Sequence, residues 1–169
     1  MEVHKHSSET YLSLGTNLGE KPQNLEEALD LLTSKLGPPF ARSSFYESPS
    51  WGYESDHSFL NMCLGFRVDI DPFSLLTLAL DAEKKLGRRP SSDSTKGYAD
   101  RVIDIDVLFC GNRVIESASL VIPHPRLHER RFVLEPLAEI APEFIHPVLK
   151  ESVRDLLLNC KDPSRVRPV

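Results

Sequence analysis

Gly97-Tyr-Ala-Asp-Arg-Val-Ile-Asp-Ile-Asp-Val-Leu-Phe109 reads as a β-strand carrying two carboxylates, with an arginine at its mouth. Side chains alternate along a strand. Val102, Asp104, Asp106 and Leu108 are therefore expected on one face, and Ile103, Ile105, Val107 and Phe109 on the other. The second set is wholly apolar and predicts a buried face, and a slip of one residue would expose it, so the register is set. Asp104 and Asp106 then share a face, with Cα atoms about 6.6 Å apart. Aspartate is disfavoured mid-strand and two such charges repel, so folding alone gives no reason for the pair. A divalent cation removes the repulsion, and two cations about 4 Å apart could be bridged by the pair while holding the oxygens of a phosphate chain. A solvated strand face, or two aspartates each paired with a basic side chain, satisfies the same pattern. The strand by itself does not choose.

The charge of the chain is arranged around this strand. The net charge of −5 argues against general nucleic-acid binding, which needs a broadly basic surface. Yet Lys84, Lys85, Arg88, Arg89, Lys96 and Arg101 precede the aspartates, and Arg126, Arg130 and Arg131 follow with His124 and His128. Two basic clusters about an acid pair predict a focused polyanion site. A length of 169 residues suits one core, so a flexible tail over 1–9 and a single domain over 10–169 are expected. No apolar run nears the ~20 residues of a membrane span, and the N-terminal residues lack the apolar stretch of a signal peptide. Cys63, Cys110 and Cys160 are odd in number and set among hydrophobes, and read as reduced thiols. The expectation is a cytoplasmic monomer with neither nucleic-acid nor membrane partners.

Upstream, Thr10-Tyr-Leu-Ser-Leu14 predicts a short strand ending in a tight turn at Gly15-Thr-Asn-Leu-Gly19. Asn24 to Leu36 has helical spacing, with Asn24 as N-cap and Gly37-Pro38-Pro39 as its stop. Phe40 to Glu47 reads as a second strand. The loop Ser48 to His57 holds the one tryptophan, Trp51, as a clip to the body or as the wall of a flat-ligand pocket. Ser58 to Val68 is a third strand, where Asn61 sits among apolar neighbours. A partly buried amide there needs either backbone partners or the edge of a heterocyclic ligand. Asp71-Pro72 opens a helix through Leu86, with Asp71 as N-cap and Gly87 at its end. Glu83 lies near its apolar side, snorkelling to solvent or reaching a ligand. Arg88 to Tyr98 lacks periodicity and suits a loop that covers a site. Cys110-Gly-Asn-Arg113 predicts a hairpin into Arg113-Val-Ile115, and helices follow over Glu129 to Ile140 and Ser152 to Cys160. The order β-α-β-β-α-β, with an extra hairpin and C-terminal helices, predicts an α+β fold: a ferredoxin-like core in three α/β/α layers.

These motifs resemble the 6-hydroxymethyl-7,8-dihydropterin pyrophosphokinase family of folate biosynthesis. The resemblance rests on Gly15-Thr-Asn-Leu18, Ser44-Phe-Tyr-Glu-Ser-Pro49, Phe59-Leu-Asn61, Leu86-Gly-Arg88, Arg101-Val-Ile-Asp-Ile-Asp106, Val121-Ile-Pro-His-Pro125, Arg130-Arg-Phe132 and Ile140-Ala-Pro142, in that order. It implies transfer of pyrophosphate from ATP to the pterin hydroxymethyl oxygen, with AMP released. By the same resemblance Asp104 and Asp106 hold two Mg²⁺ ions, and Arg88 and Arg101 clamp the phosphates as catalytic residues. Glu83, Tyr98, Val107, Val121, His124 and Arg130 complete the ATP site. Ser48, Pro49, Trp51, Phe59, Asn61 and Phe132 form the pterin site, with the two phenylalanines stacking on the ring. The chain departs from the family at Pro90, where a second arginine is common, and at Tyr98, which replaces a tryptophan of the covering loop. The fold order also suits a palm-type nucleotidyltransferase, which would release pyrophosphate, or a ligand-binding regulatory module, in which the aspartates would be replaceable.

Overall fold

The order of apolar and polar residues along six strands builds one antiparallel sheet with helices on both faces. A computed structural model describes residues 8–87 and 99–169. In chain order the elements are β1 (Ser8–Thr16), α1 (Lys21–Leu36), β2 (Ala41–Arg42), β3 (Tyr46–Ser48), β4 (Phe59–Val68) and α2 (Pro72–Lys85). They continue with β5 (Asp104–Cys110), β6 (Ile115–Glu116), β7 (Val121–Ile122), α3 (Arg131–Ile140), α4 (Val153–Leu158) and β8 (Arg167–Pro168). The main sheet runs β5-β1-β4-β3-β8, with β2 also on β4, which is the expected ferredoxin-like order extended by a C-terminal edge strand.

Even-numbered residues of β1 and β4 face one helical layer and odd-numbered residues the other. Leu12, Leu14, Leu60, Met62, Leu64 and Phe66 pack with Leu25, Leu29 and Leu32 of α1 and Leu75 and Ala79 of α2. Tyr11 and Cys63 pack on the opposite side with Val133, Leu134 and Leu137 of α3 and Val153 and Leu156 of α4. Both faces of the central strands are therefore buried, and the three layers expected from the sequence are present. Among the described residues no helix is long and apolar enough to cross a membrane.

Several local expectations change. β1 begins at Ser8, inside the expected tail, and runs through Gly15 to Thr16, so only Gly19 (φ 70°) serves the turn. Helix α1 starts at Lys21 with Pro22 in its first turn; Asn24 does not cap it but donates from Nδ2 to Leu18 O (2.8 Å) and Thr16 Oγ1 (3.2 Å). The strand expected over 40–47 breaks into β2 and β3. At the break the Ser43 amide donates to Cys63 O (3.0 Å), and the Ser43 hydroxyl accepts from Cys63 N (2.9 Å). The hairpin after Cys110 does not form with β5: β6 pairs with β7, and His124 N donates to Leu108 O (3.0 Å) from beyond β7.

Strand β5 begins at Asp104 and differs from strict alternation at its far end. Against β1, Tyr11 faces Phe109 and Leu12 faces Val107, which leaves Leu108 as the extra residue of a bulge. Ile103, Ile105 and Val107 pack with α1 and α2 as expected, but the bulge carries Phe109 to the other core beside Leu108. Helix α2 has the cap that its sequence demands, with Asp71 accepting from Ser74 N at 3.0 Å. Asp71→Ala is expected to cost ~1 kcal/mol of stability. Thermal unfolding should show a small fall in midpoint, while turnover at 25 °C stays at the parent level.

Candidate active site

Small residues at odd positions of β1 open a space in the α3-side layer. Ser13 pairs with Asp106 of β5 and with Cys63 of β4, and Gly15 pairs with Asp104 and with Asn61. Asp104, Gly15, Asn61 and Tyr46 thus form one row across four strands. Strand spacing puts the Asp104 and Asn61 backbones about 10 Å apart. A Cβ on Gly15 would lie 3.2 Å from Asn61 Oδ1 and 3.7 Å from the Phe59 ring, so glycine keeps the middle of the row clear. Above it lies a cavity of about 180 Å³. Ser48, Pro49, Trp51, Phe59, Asn61 and Phe132 line one part, and Arg101, Asp104, Asp106, His124 and Arg130 the other.

In the first part the polarity of Asn61 is decided by its neighbours. Nδ2 donates to Tyr46 O (3.1 Å) and Ser48 Oγ (2.9 Å). A backbone carbonyl cannot donate, so the NH₂ must face it and Oδ1 is left as the acceptor side. The expectation of protein partners for Asn61 therefore holds for its donors, and its oxygen faces Gly15 and the cavity. Phe59 opens β4 and Phe132 lies in the first turn of α3, so two elements fix two aromatic walls. Trp51 is a cavity wall as well as a clip, with the Arg130 guanidinium 4.7 Å from its ring centre and 5.8 Å from that of Phe132.

In the second part Arg101 Nη1 donates to Asp104 Oδ1 at 2.8 Å, and Arg130 Nη1 lies 3.8 Å from Asp106 Oδ2. Burial, and next the Asp104 charge, push the Asp106 carboxyl up to about 7, against Arg130 and Arg101, which pull it down. Burial and the Arg130 charge hold His124 down at about 4, so the ring is neutral at physiological pH. Its Nδ1 accepts from Arg126 N (3.2 Å), which puts the proton on Nε2, and Nε2 lies 3.9 Å from Asp106 Oδ2. A neutral donor, two guanidiniums and two carboxylates thus meet at one wall.

Three residues expected at the nucleotide do not line this cavity. Glu83 is fully buried rather than snorkelling, and its Oε1 accepts from Ile105 N at 2.7 Å, so it closes the outer edge of β5 between the two aspartates. Val107 packs into the core behind the aspartates because it has the opposite parity, and Val121 sits half-exposed in β7. Arg88 and Tyr98 lie outside the described residues. Ser13, Gly15 and Tyr53 also line the cavity without having been singled out for it from sequence. The signal for the first two was the small-residue parity in Tyr11-Leu-Ser-Leu-Gly15.

The cavity's donor set also suits a hard cation. Among the described residues no three His, Cys, Asp or Glu side chains are grouped to enclose a metal, so a cation held by Asp104 and Asp106 would draw the rest of its shell from other donors. That is the demand of Mg²⁺, which keeps waters and takes one or two carboxylates together with substrate phosphates.

Residues 11–142 match the family described as 7,8-dihydro-6-hydroxymethylpterin-pyrophosphokinase. The 2-amino-4-hydroxy-6-hydroxymethyldihydropteridine pyrophosphokinase of Porphyromonas gingivalis is 40% identical over 138 residues, which is 81% of this chain and 92% of that protein. The protein of the same name from Methylorubrum extorquens is 38% identical over 160 residues, covering 94% and 97%. A solved HPPK-DHPS structure in complex with substrates superposes with a TM-score of 0.70 at 16% identity, covering 91% of this chain and 43% of that one. At that identity the likeness is one of fold, and this chain spans less than half of the solved protein.

The raised Asp106 carboxyl has a measurable consequence. A folded pKa of about 7 means that the folded protein keeps a proton which the unfolded chain has lost above about pH 4. Metal-free stability should therefore fall as pH rises from about 4 to 7. In the presence of a chelator, Asp106→Asn should unfold at a higher temperature than the parent at pH 8, and the gain should shrink toward pH 4. A variant less stable than the parent at pH 8 would show that the attraction of Arg130 and Arg101 outweighs burial.

Proposed function

Because the chain belongs to the 7,8-dihydro-6-hydroxymethylpterin-pyrophosphokinase family, we propose that this one cavity seats both reacting groups and that its two parts divide the substrates. The protein is an ATP-dependent pyrophosphokinase of folate synthesis: it moves pyrophosphate from ATP to the hydroxymethyl oxygen of 6-hydroxymethyl-7,8-dihydropterin and releases AMP. The observation that supports the residue assignments is the row Asp104–Gly15–Asn61, with a carboxylate at one end and an amide oxygen at the other on one sheet face.

At the ring end, Phe59 and Phe132 take the flat pterin between them in offset stacking. Asn61 Oδ1 accepts from a ring N–H, and Ser48, whose Oγ already accepts from Asn61 Nδ2, has its own hydroxyl proton to donate. A ring without that N–H would leave Asn61 Oδ1 unpaired in a closed site, which is how such a site discriminates. Pro49 and Trp51 complete the wall.

At the phosphate end, Arg101, Arg130 and the Nε2–H of His124 donate to the triphosphate oxygens. Arg88 and Tyr98 are assigned to ATP from the family resemblance. Glu83 serves by fixing the backbone between the two aspartates rather than by touching nucleotide, and Val107 supports the strand from behind. Asp104 and Asp106 would hold Mg²⁺, two ions in our reading, which neutralises the phosphate charge when bound. Transfer then needs alignment: the hydroxymethyl oxygen forms its bond to the β-phosphorus, the bond from that phosphorus to the oxygen kept by AMP breaks, and the hydroxyl proton leaves. Reactions of this kind depend on positioning and charge neutralisation more than on covalent help from the protein.

Asp104→Ala and Asp106→Ala should each lower AMP formation by at least ~100-fold with circular dichroism unchanged. Near-parental AMP formation by either variant would remove the metal role. Phe132→Ala should weaken pterin binding by ~10-fold in calorimetry while sparing an unreactive ATP analogue. Equal loss of both ligands would make Phe132 a packing residue only.

A further inference from the structure

Asn17 belongs to a segment that reads from sequence as a turn, and neither of the assignments above uses it. It is buried, 2% exposed, at the end of β1. Its amide N–H donates to Arg101 O (3.0 Å), and its Oδ1 accepts from Arg101 N (2.7 Å), so it grips that residue's backbone from both sides. Its Nδ2 donates to Asp100 Oδ1 at 2.8 Å and lies 3.4 Å from both Tyr53 Oη and His57 O. The same Asp100 oxygen accepts from Tyr53 Oη (2.9 Å) and Ser55 Oγ (2.7 Å). Three donors from two distant stretches of chain thus converge on one carboxylate oxygen.

The joined pieces are the two halves of the cavity. Trp51 walls the ring end and Tyr53 of the same loop lines the cavity, and Arg101 donates to Asp104 at the phosphate end, whereas Asp100 and Asn17 line neither. We infer that Asp100, working with Asn17, is a positioning residue that fastens the Trp51–Tyr53 wall to the backbone of Arg101, so that pterin and polyphosphate are held in one fixed relation. This rests on the substrate assignment proposed above. The chemistry of the network favours permanence. Against the upward push of burial, the bonds from Ser55, Asn17 and Tyr53 keep the Asp100 carboxyl below its ordinary range, so it stays an acceptor. Burial and the Asp100 bond push the Tyr53 hydroxyl up to about 12, so it stays a donor. Charge-assisted bonds of this kind are short and directional, which is what a fixed distance between two reacting groups requires.

The test uses Asp100→Ala, Asp100→Asn, Tyr53→Phe and the double variant Asp100→Ala/Tyr53→Phe, with steady-state kinetics in both substrates and thermal unfolding for each. Asp100→Ala should raise the KM for the pterin and lower kcat, each by ~10-fold at 25 °C, where the protein stays folded although the orphaned Asn17 amide lowers the unfolding midpoint somewhat. Asp100→Asn keeps an oxygen for all three donors and should recover most of the loss. Adding Tyr53→Phe to Asp100→Ala should cost almost nothing more, because the bond is already gone. Unchanged kinetics in Asp100→Ala, a lowered midpoint without a kinetic effect, or additive losses in the double variant would each overturn the inference. Asp104→Ala, assayed alongside, separates the two levels: if it stays active the substrate assignment fails and this inference with it, and if it is inactive while Asp100→Ala behaves as the parent, only this inference fails.

Discussion

Two carboxylates held on one face of a strand that cannot shift are the constraint on which the rest of the site depends. Ile103, Ile105 and Val107 are buried against α1 and α2, so moving Asp104 and Asp106 apart would mean exposing that apolar row. Glu83 closes the outer edge of the same strand through the Ile105 amide, and β1 closes the inner edge. Hydrophobic packing thus keeps the aspartates together, and burial first, with the Asp104 charge second, displaces the Asp106 carboxyl upward.

The other half of the design is what stands opposite. Ser13 and Gly15 leave the row beside the aspartates clear, and Asn61 ends it with an oxygen whose direction is set by Tyr46 and Ser48. The ring end and the charged end are consecutive positions of one sheet, so their separation is a multiple of the strand spacing rather than a property of loops. Arg130 joins them from above, near Asp106 on one side and against Trp51 and Phe132 on the other. Its guanidinium belongs both to the charged wall and to the aromatic wall.

Much of this was legible in the residues, for physical reasons that can be named. Alternation placed the aspartates on a shared face, and the βαββαβ order placed β1 between β5 and β4. The family motifs then brought Phe59, Asn61, Phe132, His124 and Arg130 to one cavity. What sequence did not reveal depended on geometry beyond local periodicity. The bulge at Leu108, which turns Phe109 to the other core, answers to β1 rather than to its own neighbours. The same holds for Asn24, drawn away from its cap by Leu18 O, and for Gly15, a turn glycine by context that the register makes a strand glycine beside a cavity. Glu83 was misplaced because a carboxylate on an apolar helix face is normally solvated, and here a strand edge supplies its partner. The Asp100–Asn17–Tyr53 network joins residues up to 83 positions apart and has no local signature at all.

The reaction is followed most directly by where the phosphates go. Incubating the protein with Mg²⁺, 6-hydroxymethyl-7,8-dihydropterin and ATP carrying a β-phosphorus label, then separating the products, follows that atom. Unlabelled AMP is expected, with the label in a pterin diphosphate. Label appearing in ADP or in free pyrophosphate, with none on the pterin, would contradict it.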